Sequence, residues 1–282
     1  MIPAAFAYER PSSIEEAIEA LSRNDGSKVI AGGQSLLPLL KLRLASTERL
    51  IDIGRIGGLS GTRYLPDGGA EIGALTTYAQ VMADTKLDWA RDAVGNIGDV
   101  QVRNRGTIGG AVAHADPAAD IPAILLALDY SAVLRSSRGE RVVPLDGFFE
   151  GPFTTSIAPD EILVAVRRGP LPDGATGAYQ KLAQPASGYA MVGVAVVIAK
   201  SGDGRINHAR VALTGVHEHA YRATEVEEAL VGTGGAAAEV QAAAEHATVA
   251  VEVSSDIHAD AEYRAAMAKI HTARAIEAAL GR

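Results

Sequence analysis

The chain has no cysteine among its 282 residues. It can form no disulfide and supply no thiolate to zinc, to an iron–sulfur cluster or to a catalytic step, so any such cluster must belong to another chain. Positive charge is in deficit, with 26 Lys and Arg against 34 Asp and Glu and a formal net charge of -8. That balance opposes a generic attraction to nucleic acid or to an anionic membrane surface and leaves proteins or small molecules as partners. Long apolar runs are missing too. Residues 121–128 and 189–199 are the longest, well short of the about 20 residues a membrane-spanning helix needs, and they read as buried core. The first ten residues show no basic region followed by an apolar core, so no export signal is expected and the cytoplasm is the expected location.

What is present is the make-up of an ordinary globular protein. Hydrophobic residues are 48% and charged residues 21% of the chain, enough to bury a substantial core, and the length favours two domains over one. Ser13 with Glu16 forms a capping-box signature, and Ile14, Ala17, Ile18 and Leu21 follow at helical spacing. β-type runs are expected at 28–31 and 49–53, hairpins at 62–65 with 71–73 and at 133–135 with 141–143, and a strand at 161–167. A helix is expected to enter at Leu75-Thr76-Thr77-Tyr78, where a threonine hydroxyl can satisfy an orphan amide, and to run to about residue 83; another is expected over 120–128. Prolines at 144, 152, 159, 170 and 172 mark a connecting region, and the domain boundary is placed near 176. Beyond it, β-rich runs at 189–200 and 205–216 precede an alanine-rich helical remainder, the pattern of a small antiparallel sheet backed by helices.

Two turns carry the chemistry. A phosphate needs converging backbone amides with no side chains in the way, and glycine pairs beside hydroxyls provide that. Gly32-Gly33-Gln34-Ser35 and Gly106-Thr107-Ile108-Gly109-Gly110 both have this composition. The first lacks the lysine of a P-loop and neither has Rossmann spacing, which disfavours a mononucleotide triphosphatase. Each glycine pair taken alone is also explained by a tight turn.

Taken together, three ordered motifs are more specific. Ala31-Gly32-Gly33-Gln34-Ser35-Leu36-Leu37-Pro38, Ile72-Gly73-Ala74-Leu75-Thr76-Thr77, and the run from Gln101 through Gly110 to His114-Ala115-Asp116-Pro117-Ala118-Ala119-Asp120 resemble the FAD-binding medium subunits of molybdenum hydroxylases, the carbon monoxide dehydrogenase and xanthine dehydrogenase family. Asp160-Glu161-Ile162-Leu163 and Gly188-Tyr189-Ala190 extend the resemblance over nearly the whole chain. It implies an α+β architecture: a vanillyl-alcohol-oxidase (PCMH)-type FAD-binding domain over 1–176, with subdomains of about 1–57 and 58–176, then a C-terminal domain over 177–282 with a small antiparallel sheet and helices.

The resemblance also implies roles. Gly32, Gly33, Gln34, Ser35 and Leu36, next to Ala31, would cradle the pyrophosphate of a noncovalent FAD. Thr107, Ile108, Gly109, Gly110 and Asp116 would bind pyrophosphate and ribityl groups, and Ala74 and Thr76 would line the cofactor. Asp120 corresponds to an acid that hydrogen-bonds the cofactor; by spacing alone a helix N-terminal acid explains it nearly as well. Leu163 and Tyr189 resemble positions that pack on the isoalloxazine ring, although Gly188 stands where relatives often have aspartate and Tyr189 also reads as a core strand residue. Lys181 is a candidate for positive charge beside the flavin but reads more simply as a solvated lysine. His114 sits within the second motif, with a contact to cofactor or only to loop backbone.

By the same resemblance, the chain would relay electrons from two [2Fe-2S] clusters on a small subunit, ultimately from a molybdenum cofactor on a large subunit, to NAD, a quinone or oxygen. The expected assembly is a dimer of heterotrimers. Such a relay requires no catalytic acid or base of this chain. The missing cysteines exclude the extra cluster some relatives carry in this subunit. Rival readings are a stand-alone flavin oxidase or reductase, which would need a proton donor that the sequence does not identify, and a scaffold that has lost its flavin. Of seven histidines, His217 and His219 lie close together but show no third ligand at a recognised spacing, so surface histidines and no metal are expected.

Overall fold

In the computed structural model, which describes residues 2–23 and 26–281, most of the chain is arranged on three sheets. The first is small and parallel, with Arg49–Asp52 between Ala7–Glu9 and Ser27–Ile30. Parallel neighbours require crossovers, which contain the helices Ile14–Ser22 and Leu36–Leu42. The first helix begins as the sequence indicates, since Ser13 Oγ accepts the Glu16 N–H at 3.1 Å. The reciprocal half of the expected capping box is shifted by one residue, because the Glu16 carboxylate takes the amide and hydroxyl of Ser12 at 2.7 and 2.8 Å.

The second sheet is antiparallel and runs Thr62–Tyr64, Ala70–Gly73, Ile162–Arg168, Ser131–Ser136, Gly139–Pro144 in spatial order. Both expected hairpins are its outer pairs, and the expected strand near 161–167 is its centre. Between Gly73 and Ser131 the chain makes five α-helices, Tyr78–Ala83, Asp88–Gly95, Val100–Arg103, Ile108–His114 and Asp120–Ala127. A full capping box starts the first of them, with Thr77 and Gln80 bonding each other's backbone amides.

The third sheet is also antiparallel, in the order Thr176–Ala183, Ala190–Lys200, Ile206–Thr214, Tyr221–Arg222. Its first strand is absent from the sequence reading. Thr176–Ala183 mixes exposed and half-buried positions with little apolar alternation, so periodicity does not reveal it. The long strand beside it is apolar throughout because both its faces are covered. Val192, Val194, Val196 and Ile198 join the core beneath the C-terminal helix Ala261–Ala279, while Ala195 and Val197 join the core that includes Asp120–Ala127.

Asp120–Ala127 is buried at every position, as a helix apolar on all sides must be. It packs against Ala190–Lys200 and Ile206–Thr214. Placing this helix in the C-terminal sheet brings its first residue, Asp120, against side chains that arise some 60 residues later. Among the described residues, no helix is long and apolar enough to cross a membrane.

Candidate functional site

The three glycine-containing motifs meet. A Cβ placed on Gly32 would lie 1.9 Å from the carbonyl oxygen of Arg105 and 2.7 Å from its carbon, so the first loop rests backbone to backbone on the residue that precedes the second. The second loop is joined in turn to the Ile72–Thr77 motif: Ile108 N–H donates to Thr76 O at 3.0 Å and Gly109 N–H to Ala74 O at 2.9 Å. A Cβ on Gly109 would meet Ala74 Cβ at 2.5 Å. Glycine is required at both places for close backbone approach, and Gly109 answers to Ala74 rather than to a ligand.

Between these loops lies a cavity of about 580 Å3, within the roughly 300–1,000 Å3 of small-molecule sites. Ala31, Gly32, Gly33, Gln34, Ser35, Leu36, Ala74, Thr107, Gly109, Gly110, His114, Asp116, Asp120, Leu163 and Tyr189 all line it. Three sequence candidates do not. Thr76 is buried with its hydroxyl bonded to Gly61 N–H at 2.9 Å and Gly61 O at 3.2 Å, and Ile108 is core. Lys181 lies behind the cavity wall and is not the solvated lysine the sequence favours: its side chain is 9% exposed and its ammonium lies 2.9 Å from an Asp120 carboxylate oxygen.

The two glycine loops are chemically unlike. Among the described residues, the five successive amides of Gly32, Gly33, Gln34, Ser35 and Leu36 donate to no protein acceptor, with Gly33 in the left-handed region at φ +74°. Polar groups in a built site need partners, and a run of free amides suits an anionic oxygen cluster such as a diphosphate. In the second loop, the amides of Ile108 and Gly109 are spent on the Ile72–Thr77 motif, and that of Gly110 on Thr107 Oγ1 at 3.1 Å. That loop shapes the cavity wall without offering those three amides.

At the far end, Asp120 is 4% exposed and held by two side chains from the C-terminal sheet. Tyr179 donates its hydroxyl to Oδ1 at 2.5 Å and Lys181 its ammonium to Oδ2 at 2.9 Å. Burial pushes the carboxyl above its ordinary value, against the pull of Lys181 and Tyr179. The Tyr179 hydroxyl reaches its position over Gly193, where a Cβ would lie 2.2 Å from the tyrosine oxygen. Tyr179 is a site residue the sequence reading missed; only its i, i+2 relation to Lys181 on an unrecognised strand could have signalled it. The turn before Asp120 is fixed by the same sheet, with Thr214 Oγ1 donating to Pro117 O at 2.8 Å and Ala119 O at 2.9 Å.

The remaining wall includes the apolar surfaces of Leu163 and Tyr189. Leu163 sits beside the register shift between Leu163 and Ala165 in the central strand of the second sheet. Tyr189 is 47% exposed, so it is a cavity-edge residue and not a core strand residue. Gly188 before it is in the left-handed region at φ +73°, which glycine adopts without steric cost. His114 stacks on Phe153 at 5.1 Å. The cradle of free amides, the apolar wall and the cavity size all fit an FAD.

Burial lowers the pKa of His114, and likewise of His208 and His271. The unfolded chain therefore takes up protons at a pH where the folded protein resists them, and stability rises with pH across that interval. Lowering the pH from about 7.5 to about 5.5, through the ordinary histidine value, is expected to lower the thermal midpoint followed by circular dichroism. A midpoint that stays level or rises would contradict the assignment. Glu71 and Glu161, held low by Arg63, Arg167 and Arg141 against desolvation, add a further loss only as the pH falls through the carboxylate range.

A larger cavity of about 790 Å3 adjoins the second sheet, lined among others by Arg63, Glu71, Arg135, Glu140 and Arg167. Its charges pair with each other, Glu71 with Arg63 and Arg167, Glu140 with Arg135 and Arg167. Neither glycine loop, residues 32–36 or 106–110, lines it, so volume alone does not make it the site.

Comparison with known proteins bears directly on this geometry. Residues 4–168 match the family described as the FAD binding domain in molybdopterin dehydrogenase, and residues 177–279 the CO dehydrogenase flavoprotein C-terminal domain. The chain belongs to the FAD-binding medium-subunit family of molybdenum hydroxylases. Family members similar to it include the carbon monoxide dehydrogenase medium chain of Hydrogenophaga pseudoflava, 40% identical with 100% of this chain and 99% of that one covered. The glyceraldehyde dehydrogenase medium chain of Sulfolobus acidocaldarius is 37% identical over 98% of this chain and 99% of its own. A solved structure of the Hydrogenophaga carbon monoxide dehydrogenase, lacking the Mo-pyranopterin moiety of its cofactor, superposes with a TM-score of 0.95 at 41% identity, covering 100% of this chain and 99% of that one. The α+β fold and the FAD-binding assignment follow from this membership.

Proposed function

We propose that this chain is the electron-exit subunit of a molybdenum hydroxylase, with its FAD in the cavity between the glycine loops. The observation that carries the reading is the run of five unpartnered amides at Gly32 to Leu36 beside an apolar wall formed by Leu163 and Tyr189. FAD supplies the ability to take up electrons singly and release them in pairs. The chain's own residues would bind and orient it. The free amides would hold the diphosphate, Asp116 and Thr107 would lie along the ribityl chain, and Leu163 and Tyr189 would exclude water from the ring. Asp120, fixed by Tyr179 and Lys181, would present a carboxylate edge to the cofactor.

In this reading the FAD-binding unit spans 1–176, with subdomains meeting near 57, and the unit over 177–282 buttresses it through Asp120. The relatives' names place medium chains in carbon monoxide, glyceraldehyde and nicotine-type oxidations. A large molybdenum subunit and a small iron–sulfur subunit are accordingly the proposed partners, in a cytoplasmic dimer of heterotrimers, with NAD, a quinone or oxygen as acceptor.

An absorption spectrum of the purified chain tests the reading, with the cofactor identified after denaturation. Stoichiometric, noncovalent FAD is expected, together with no oxidation of carbon monoxide, purine, aldehyde or nicotine-like substrates until large and small subunits are added. A colourless chain that fails to take up added FAD, or substrate turnover by the chain alone, would overturn it.

A further inference from the structure

The loop that joins Ile206–Thr214 to Tyr221–Arg222 does not line the flavin cavity. It brings together His217, Glu218 and His219, whose ligand atoms, one from each residue, lie within 4.8 Å of one another. The two imidazole rings are 4.7 Å apart and tilted by 74°. No recognised sequence spacing supplies a third ligand for the histidine pair; in the structure the Glu218 carboxylate comes within reach of both.

The loop is held from beneath. Gly215 has φ +78°, and a Cβ there would lie 2.5 Å from Ala190 O, so the chain leaves the sheet along one path. Arg264, 4% exposed, donates to Gly215 O at 2.6 Å and Met191 O at 2.8 Å and pairs with Asp256. Val216 is fully buried and its carbonyl accepts the Ser254 N–H at 2.8 Å. The three side chains thus stand on a rigid base, while Glu218 itself is exposed and free to swing.

The hydrogen bonds of the rings point to their use. His217 Nδ1 lies 2.6 Å from Glu252 O, and His219 Nδ1 lies 2.9 Å from Ala220 O. A carbonyl can only accept, so each Nδ1 carries the proton and each Nε2 is left with its lone pair. Backbone carbonyls fixing the tautomer of a histidine whose other nitrogen binds metal is the common outer-shell arrangement of protein metal sites. Ligand atoms around a tetrahedral cation are about 3.4 Å apart, given bonds of about 2.0–2.2 Å, so the three side chains must draw together on binding, and the exposed Glu218 side chain can rotate to do so.

We propose that His217, Glu218 and His219 form a binding site for a divalent transition-metal ion of the zinc type. Imidazole with one carboxylate suits zinc, nickel or copper and not calcium or magnesium, whose ligands are all oxygen. Three protein ligands leave at least one position to solvent, and the ion would tie this loop to the segment around Glu252 through His217.

Calorimetric titration of the untagged full chain with zinc chloride, after chelator treatment, tests the site. One saturable equivalent is expected, with at least tenfold weaker binding in His217→Ala and in His219→Ala, and unchanged binding in His246→Ala, an exposed histidine elsewhere in the same domain. Zinc should raise the thermal midpoint of the wild type and not of His219→Ala. The midpoints without zinc establish that the variants are folded. Weak, unsaturable uptake, meaning adventitious zinc only, or wild-type affinity in both loop variants, would overturn the proposal. Neither result bears on flavin binding, which is read separately from the FAD spectrum.

Discussion

Replacing Asp120 by alanine is expected to remove on the order of 3 kcal/mol or more of stability, a loss visible in thermal or denaturant melts of the chain whether or not flavin is present. The reason lies behind the cavity wall. Lys181 is 9% exposed at its side chain and has Asp120 as its ionic partner, at 2.9 Å, so the variant leaves an ammonium buried without a counter-charge. The Tyr179 hydroxyl loses its acceptor at 2.5 Å in the same step. A buried charge without a partner costs far more than the pair contributes when intact. The paired variant Asp120→Leu with Lys181→Met should therefore recover most of the lost stability, because the charge is removed from both sides. If Asp120 also presents its carboxylate to the flavin, the paired variant will be stable and still weak in FAD retention. Equal instability of the single and paired variants would show that the ion pair is not what Asp120 contributes.

Much of this arrangement was legible in the sequence. The hairpins of the second sheet, the capped helix at Thr77 and the long apolar strand after Tyr189 all have local signals, in turn residues, caps or apolar runs, and they fold where those signals place them. The glycine motifs led to the cavity for the same reason. Strand Thr176–Ala183 escaped because its side chains face a mixed environment and show no period-2 pattern. Without that strand nothing local places Tyr179 and Lys181 beside Asp120, and a lone lysine reads as solvated. Thr76 and Ile108 stand inside motifs, yet a motif specifies backbone position and not which way each side chain points. The hydroxyl of Thr76 is used up on Gly61. The unlike chemistry of the two glycine loops is likewise a property of hydrogen bonding between distant segments, which composition cannot report.

That difference between the loops sets the second large effect, expected for Gly32→Ala. The added carbon would be placed 1.9 Å from Arg105 O, a backbone atom that cannot rotate aside, so the first loop must lift from the second. Over-packing of this kind costs about 1–3 kcal/mol, and here the displaced atoms include the free amides that line the cavity. FAD affinity should fall at least tenfold, which is about 1.4 kcal/mol, with release of flavin on gel filtration as the readout. Gly109→Val would be expected to act differently from a plain ligand clash. Its side chain meets Ala74 at 2.5 Å, so it should unzip the second loop from the Ile72–Thr77 motif and lower the melting midpoint along with flavin content. Gly169→Ala, whose Cβ meets nothing within 4 Å, is the control and should change neither property. Full flavin content in Gly32→Ala would mean that the amides of residues 32–36 do not hold the cofactor, and would move the diphosphate to another part of the cavity.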